Sequence, residues 1–138
     1  MREVKASWVE DAALAANIEV GPHRLRADEP EDKGGGDTGP SPHETLLSAL
    51  GACTASTLRL YAHRKGWPLT DAKVRLTAQH EDGRYVINRQ VHLEGTLDLD
   101  QRTRLLEIAD RCPVHRTLTG AIVINTSESM EDSEATES

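Results

Sequence analysis

A chain of 138 residues with a net charge of −7 is long enough for one domain with one core, and its negative balance argues against nucleic acid or an anionic membrane as partner. Two Trp, two Tyr and no Phe leave the core to Leu, Ile, Val and Ala, and so thin a core is expected to be completed by an oligomer interface. No apolar run is long enough to span a bilayer, and Met1 to Trp8 carries no apolar leader segment, so a cytoplasmic protein with reduced cysteines is expected.

In chain order, the patterning predicts strands over Glu3–Val9, Leu14–Val20 and His23–Ala27, with Gly21-Pro22 as the turn between the last two. The stretch Asp28–Pro40 is polar and glycine-rich. Gly34-Gly35-Gly36 lacks the Gly-Lys-Ser/Thr ending of a phosphate cradle and sits among acids that repel phosphate, so it reads as a mobile loop. Ser41-Pro42-His43-Glu44 is a helix start: Ser41 as N-cap, Pro42 at the first helical position, Glu44 closing a capping box. The helix is expected to run to Lys65 and stop at Gly66. Leu46, Leu50, Cys53, Thr57 and Leu60 share one face, and Gly51 and Ala52 allow another backbone close approach.

A hairpin follows. Val74, Leu76 and Ala78 alternate with polar residues, Asp82-Gly83 supplies the turn, and Tyr85, Ile87, Arg89, Val91 and Leu93 return. Arg89 is a guanidinium on the apolar side of that alternation. Asp98–Arg111 is the second main helix, interrupted by Pro113, and Gly120–Thr126 reads as a last strand. The order read from periodicity is β-β-β-α-β-β-α-β, with one domain over 1–127 and a disordered acidic tail over 128–138.

The two cysteines carry the chemistry. Cys53 sits within the most apolar helical segment, and Cys112 follows the second helix in Asp110-Arg-Cys-Pro-Val-His115. Two thiols on the apolar sides of separate helices suit a redox pair better than a metal-binding hairpin. A buried cysteine is equally at home as a small hydrophobe. His115, three residues after Cys112, invites a zinc reading, but three or four ligands would have to converge by coincidence of fold. Glu44 is nine residues before Cys53, about 13 Å along a helix, too far for direct contact within it. His43 lies in the first helical turn and is expected to be solvated, as are Arg59, Arg64 and Lys65.

The runs Gly39-Pro-Ser-Pro-His-Glu-Thr-Leu-Leu-Ser-Ala-Leu-Gly-Ala-Cys53-Thr and Leu58-Arg-Leu-Tyr-Ala-His-Arg-Lys-Gly-Trp-Pro-Leu69 resemble the OsmC/Ohr family. So do Ile108-Ala-Asp-Arg-Cys112-Pro-Val-His-Arg-Thr-Leu and Ile122-Val-Ile-Asn-Thr. The resemblance implies an α+β, intertwined homodimer with a central helix carrying Cys53 and curved antiparallel sheets around it. It also implies a thiol-dependent peroxidase that reduces organic hydroperoxides, with Cys53 peroxidatic and Cys112 resolving. Such an enzyme takes its electrons from a dithiol reductant and needs no cofactor or metal. Two departures stand out. The better studied relatives have an acid directly after the helix-opening proline, where this chain has His43 and then Glu44. They also activate the cysteine with an arginine from the N-terminal strand pair, and Asp11–Asn17 has none, leaving Arg24, Arg26 or Arg89 as substitutes. Cys53, Cys112, Glu44 and Arg89 are therefore the expected site residues. A binding or redox-sensing protein of the same fold is the alternative.

Overall fold

In the computed structural model, which describes residues 1–130, the start and stop signals of the central helix are both used. Helix α1 covers Pro42–Lys65. The Ser41 hydroxyl accepts from the Glu44 N–H at 3.1 Å and the Glu44 carboxylate accepts from the Ser41 N–H at 2.8 Å, which closes the capping box. Gly66, left-handed at φ 71°, ends the helix with its N–H on the Ala62 and His63 carbonyls.

Three short strands precede it: β1 (Val4–Trp8), β2 (Ala16–Val20) and β3 (His23–Ala27), an antiparallel meander in that order. A long hairpin follows it: β4 (Leu69–Glu81) and β5 (Arg84–Gly95), with Val74 opposite Val91, Leu76 opposite Arg89 and His80 opposite Tyr85. Asp82 and Gly83 both have positive φ, 53° and 75°, the two-residue turn whose twist matches the strands. Helix α2 (Leu99–Ala109) starts from a second capping box, between Asp98 and Gln101. The fold class is α+β, as expected, with three α-helices and two separate antiparallel sheets among the described residues.

The core lies between the C-terminal half of α1, the base of the hairpin and α2. Leu58, Ala62, Leu93, Leu105, Ile108 and Ala109 form it, with Tyr61 and Trp67 packed at its edge. Leu58 and Leu105 are fully buried, each worth about 1.5–3 kcal/mol of apolar transfer. Higher up, Gly51 lets the hairpin in: a Cβ there would come 2.9 Å from Leu76 Cδ1. The β1–β3 meander contributes nothing to this core, and Val4, Trp8, Leu14 and Leu25 stand exposed. Among the described residues no helix is long and apolar enough to cross a membrane.

Four expectations are corrected. Pro113 does not merely interrupt the second helix; it occupies the first position of a third, α3 (Pro113–Thr119), for which Cys112 is the N-cap. Gly120–Thr126 forms no strand, because no strand of the described chain lies beside it, and Ile122, Val123 and Ile124 are left exposed. The buried row of α1 is Leu50, Thr54, Leu58 and Ala62, which shares Leu50 with the expected stripe but is otherwise rotated from it, since α1 packs against β4 and also against α2 and α3. Leu60 is accordingly about half exposed. The segment 28–40 is a pinned loop. Of the expected tail, residues 128–130 are exposed and irregular, and 131–138 lie outside the described residues.

The pin is Asp28. Its carboxylate accepts from the Glu29 N–H at 2.7 Å, the Gly36 N–H at 3.3 Å, the Thr38 N–H at 3.0 Å and the Thr38 hydroxyl at 2.6 Å. The Thr38 hydroxyl above all, then the backbone N–H groups of Thr38 and Glu29, hold its pKa down to about 2 from 3.8. A folded-state pKa below the unfolded one means stabilisation that is complete above 3.8 and is lost as the pH falls through about 2. Asp28→Asn is expected to unfold at lower urea at neutral pH and to lose the Asp28 share of the acid-dependent fall in stability. Urea melts of both proteins across that window test it, and identical pH profiles would contradict it.

Candidate functional site

The fold brings both cysteines and Arg89 to one place, at the junction of α1, β5 and α3. Arg89 is on the inward row of β5, opposite Leu76, and its side chain is only 11% exposed. A guanidinium so placed needs acceptors, and three converge on it. Its Nη1 donates to Thr54 Oγ1 at 3.0 Å; its Nη2 donates to Asp110 Oδ1 at 2.9 Å and to His115 Nδ1 at 2.9 Å. Arginine cannot accept, so His115 Nδ1 must be the acceptor and a neutral His115 carries its proton on Nε2.

Thr54 is the link to sulfur. It is fully buried on α1, next to Cys53, and its hydroxyl lies 2.7 Å from the Leu50 carbonyl and 3.7 Å from Cys112 Sγ. Cys53 is partly exposed, and its Sγ accepts from the Val114 N–H at 3.5 Å. Cys112 is fully buried. Both are free thiols. Burial pushes the Cys112 thiol up, but the His115 backbone N–H, the Thr54 hydroxyl, the neighbouring Cys53 thiol and the Arg89 charge together bring it below the ordinary cysteine value.

Beside this cluster is a cavity of about 500 Å³. Leu46, Leu50, Ile87 and Leu118 form its apolar wall, with Tyr85 on the hairpin; Arg89, Asp110 and His115 form its polar end. Neither sulfur lines it. Glu44 does not line it either: the carboxylate is exposed and engaged in the capping box of α1. His43 sits against Tyr85 and His80, with ring centroids 5.3 and 6.3 Å away. Arg24 pairs with Glu19 on the β1–β3 sheet. Among the described residues no group of three or more His, Cys, Asp and Glu side chains is gathered to hold a metal.

Sequence reasoning brings Cys53, Cys112 and Arg89 forward and passes over Thr54. A signal is present: Thr54 is the one polar member of the row Leu50, Thr54, Leu58, Ala62, spaced four apart. Removing the Arg89 charge removes one of the effects that hold the Cys112 thiol down. In a Cys53→Ser background, Arg89→Gln is therefore expected to move the thiolate absorbance titration of Cys112 to higher pH. An unmoved curve would mean that the guanidinium does not act on this sulfur.

A family model described as OsmC-like protein matches residues 34–127. Among solved structures, the chain is similar to an OsmC like protein from Mycoplasma pneumoniae, at 22% identity and a TM-score of 0.74, covering 87% of this chain and 88% of that one. It is also similar to the organic hydroperoxide resistance protein OhrB of Bacillus subtilis, at 18% identity and a TM-score of 0.60, over 87% and 91% of the two chains. A third is an organic hydroperoxide resistance protein OsmC from Legionella pneumophila, at 19% identity, a TM-score of 0.65, and 87% and 90% coverage. No curated protein matches the chain.

Proposed function

The chain belongs to the OsmC-like protein family, and from that premise we propose that it is a thiol-dependent peroxidase that reduces organic hydroperoxides through Cys53 and Cys112. The observation that carries the reading is that a buried guanidinium and a buried thiol, joined through Thr54, have a partly exposed thiol next to them and an apolar-walled cavity beside them. The names of the Bacillus subtilis and Legionella pneumophila proteins support the hydroperoxide as substrate.

In this reading the organic group occupies the wall of Leu46, Leu50, Ile87 and Leu118, and the peroxide end points to Arg89. The Cys53 thiolate attacks the outer peroxide oxygen. The S–O bond forms, the O–O bond breaks, and the alkoxide takes a proton and leaves as the alcohol. The Val114 N–H holds Cys53 Sγ in place for the attack, and Arg89 favours negative charge on the leaving oxygen. Cys112 then closes the disulfide, and an external dithiol reduces the pair. Glu44 serves by fixing the start of the helix that carries Cys53. One observation favours the second reading, a binding or redox-sensing protein: neither sulfur lines the cavity.

The two readings separate on Cys53→Ser. Loss of cumene hydroperoxide turnover with a dithiol reductant is expected for that variant, and Cys112→Ser is expected to stop after one oxidising equivalent, with Cys53 trapped as a sulfenic acid. Undiminished turnover in Cys53→Ser would overturn the peroxidase reading.

The working unit in this proposal is a homodimer. The β1–β3 sheet lacks a core, with Trp8 93% exposed, and the extended apolar run Ile122-Val-Ile124 lacks a strand partner among the described residues of its own chain. Light scattering coupled to gel filtration is expected to give twice the chain mass; a monomer at micromolar concentration would contradict it.

A further inference from the structure

We propose that Thr54 is the positioning residue of the resolving step, relaying the Arg89 guanidinium to the Cys112 sulfur and keeping that sulfur ready to attack an oxidised Cys53. The inference deepens the peroxidase reading and rests on it.

The hydroxyl of Thr54 has one proton and two lone pairs, and three partners surround it. Arg89 Nη1 is a donor, at 3.0 Å; the Leu50 carbonyl is an acceptor, at 2.7 Å; Cys112 Sγ, at 3.7 Å, can be either. When Cys112 carries its proton, the S–H donates to Thr54 Oγ1, the hydroxyl donates to Leu50, and every group is answered. When Cys112 is ionised, the Thr54 proton turns to the sulfur. Leu50 O keeps the helical N–H it already accepts, so nothing is stranded by the turn. Thr54 thus has two satisfied arrangements, one for each protonation state of Cys112. Arg89 polarises the hydroxyl in both, which strengthens its donation to an anionic sulfur.

The groups that face Cys112 come from every element around it. Thr54 and Cys53 are on α1, Arg89 is on β5, Asp110 precedes the sulfur, and His115 follows it on α3. Asp110 is the opposing charge, but its side chain is 70% exposed and it pairs with Arg89 rather than with the sulfur. The Thr54 hydroxyl contacts both the guanidinium and Cys112 Sγ through one oxygen, whereas His115 meets the guanidinium with its ring Nδ1 and the sulfur with its backbone N–H.

The step balances within the site. The Cys112 sulfur gives an electron pair to the sulfenic sulfur of Cys53. The S–S bond forms and the S–O bond breaks. Hydroxide leaves and takes the proton released from Cys112, giving water. Cys112 is oxidised and the sulfenic sulfur is reduced, the oxidising equivalent having come from the organic hydroperoxide.

The test compares Thr54→Val, which keeps the shape and removes the hydroxyl, with Thr54→Ser, which keeps it. Cumene hydroperoxide is mixed with each reduced protein, and sulfenic acid at Cys53 and the Cys53–Cys112 disulfide are followed separately by quenching and mass spectrometry across pH. Thr54→Val is expected to form the sulfenic acid and then close the disulfide about three- to tenfold more slowly near neutral pH, since a lost thiolate fraction is partly offset by the higher nucleophilicity of a more basic thiolate. The pH midpoint of closure should rise by about one unit, and Thr54→Ser should restore both. Closure at the wild-type rate in Thr54→Val, or equal loss in the Thr54→Val and Thr54→Ser proteins, would overturn the inference. If wild-type protein forms no sulfenic acid, it is the peroxidase reading that fails. The relay is then read from the thiolate titration of Cys112 in Cys53→Ser protein, with and without the additional Thr54→Val substitution, where coincident curves overturn it.

Discussion

A guanidinium turned into a protein must have its hydrogen bonds answered, and the arrangement around Arg89 follows from that requirement. An uncompensated buried charge costs several kcal/mol, so a strand that points an arginine inward holds only if acceptors meet it there. Thr54 comes from α1, Asp110 from the end of α2 and His115 from α3. Three elements are thereby tied to β5 at one point. Among the described residues no buried side-chain nitrogen or oxygen is left without a partner. The two sulfurs sit where those elements meet. Their environment is a by-product of satisfying the arginine, and the same contacts that hold the helices also lower the Cys112 thiol.

Much of this is legible in the chain. Ser41, Pro42 and Glu44 announce the start of α1, Gly66 its end, and Asp82-Gly83 the hairpin turn, because each acts through its immediate neighbours. The inward placement of Arg89 follows from the period of two along β5. What cannot be read depends on partners distant in sequence. The last strand fails because a strand needs a neighbour, and periodicity alone does not supply one. Pro113 ends one helix and begins another with equal ease, and only the turn through Asp110 and Arg111 decides for the second. The buried face of α1 escapes the helical pattern because the helix packs on two sides, so its seated row is set by β4 and α2 together. Thr54 is hidden by the same rotation.

The polar loop 28–40 teaches a related lesson. Glycine and acid content reads as mobility, yet one buried carboxylate accepts four hydrogen bonds and ties the loop together. Gly35 is needed there because a Cβ would run into the Glu29 carbonyl. Composition reports what a segment lacks in apolar surface. It does not report whether a side chain will close the backbone around itself. The loop hands the chain directly to Ser41, and the Asp28 N–H on the Pro40 carbonyl ties it down just before the N-cap of α1.

Helix α3 is only seven residues long and is joined to both thiols: Cys112 is its N-cap, and the N–H of Val114 rests on Cys53 Sγ. Such a short helix has little cohesion of its own. In the proposed cycle, bonding the sulfurs to each other would change the acceptor beneath Val114 and the conformation available to the N-cap. By thermodynamic linkage, whatever free energy the disulfide takes from the folding of this helix is returned to the disulfide as a shift in its reduction potential. The half-cell and the local unfolding equilibrium are then one balance seen from two ends, and a ligand that grips α3 would tune the electron affinity of the pair without touching sulfur.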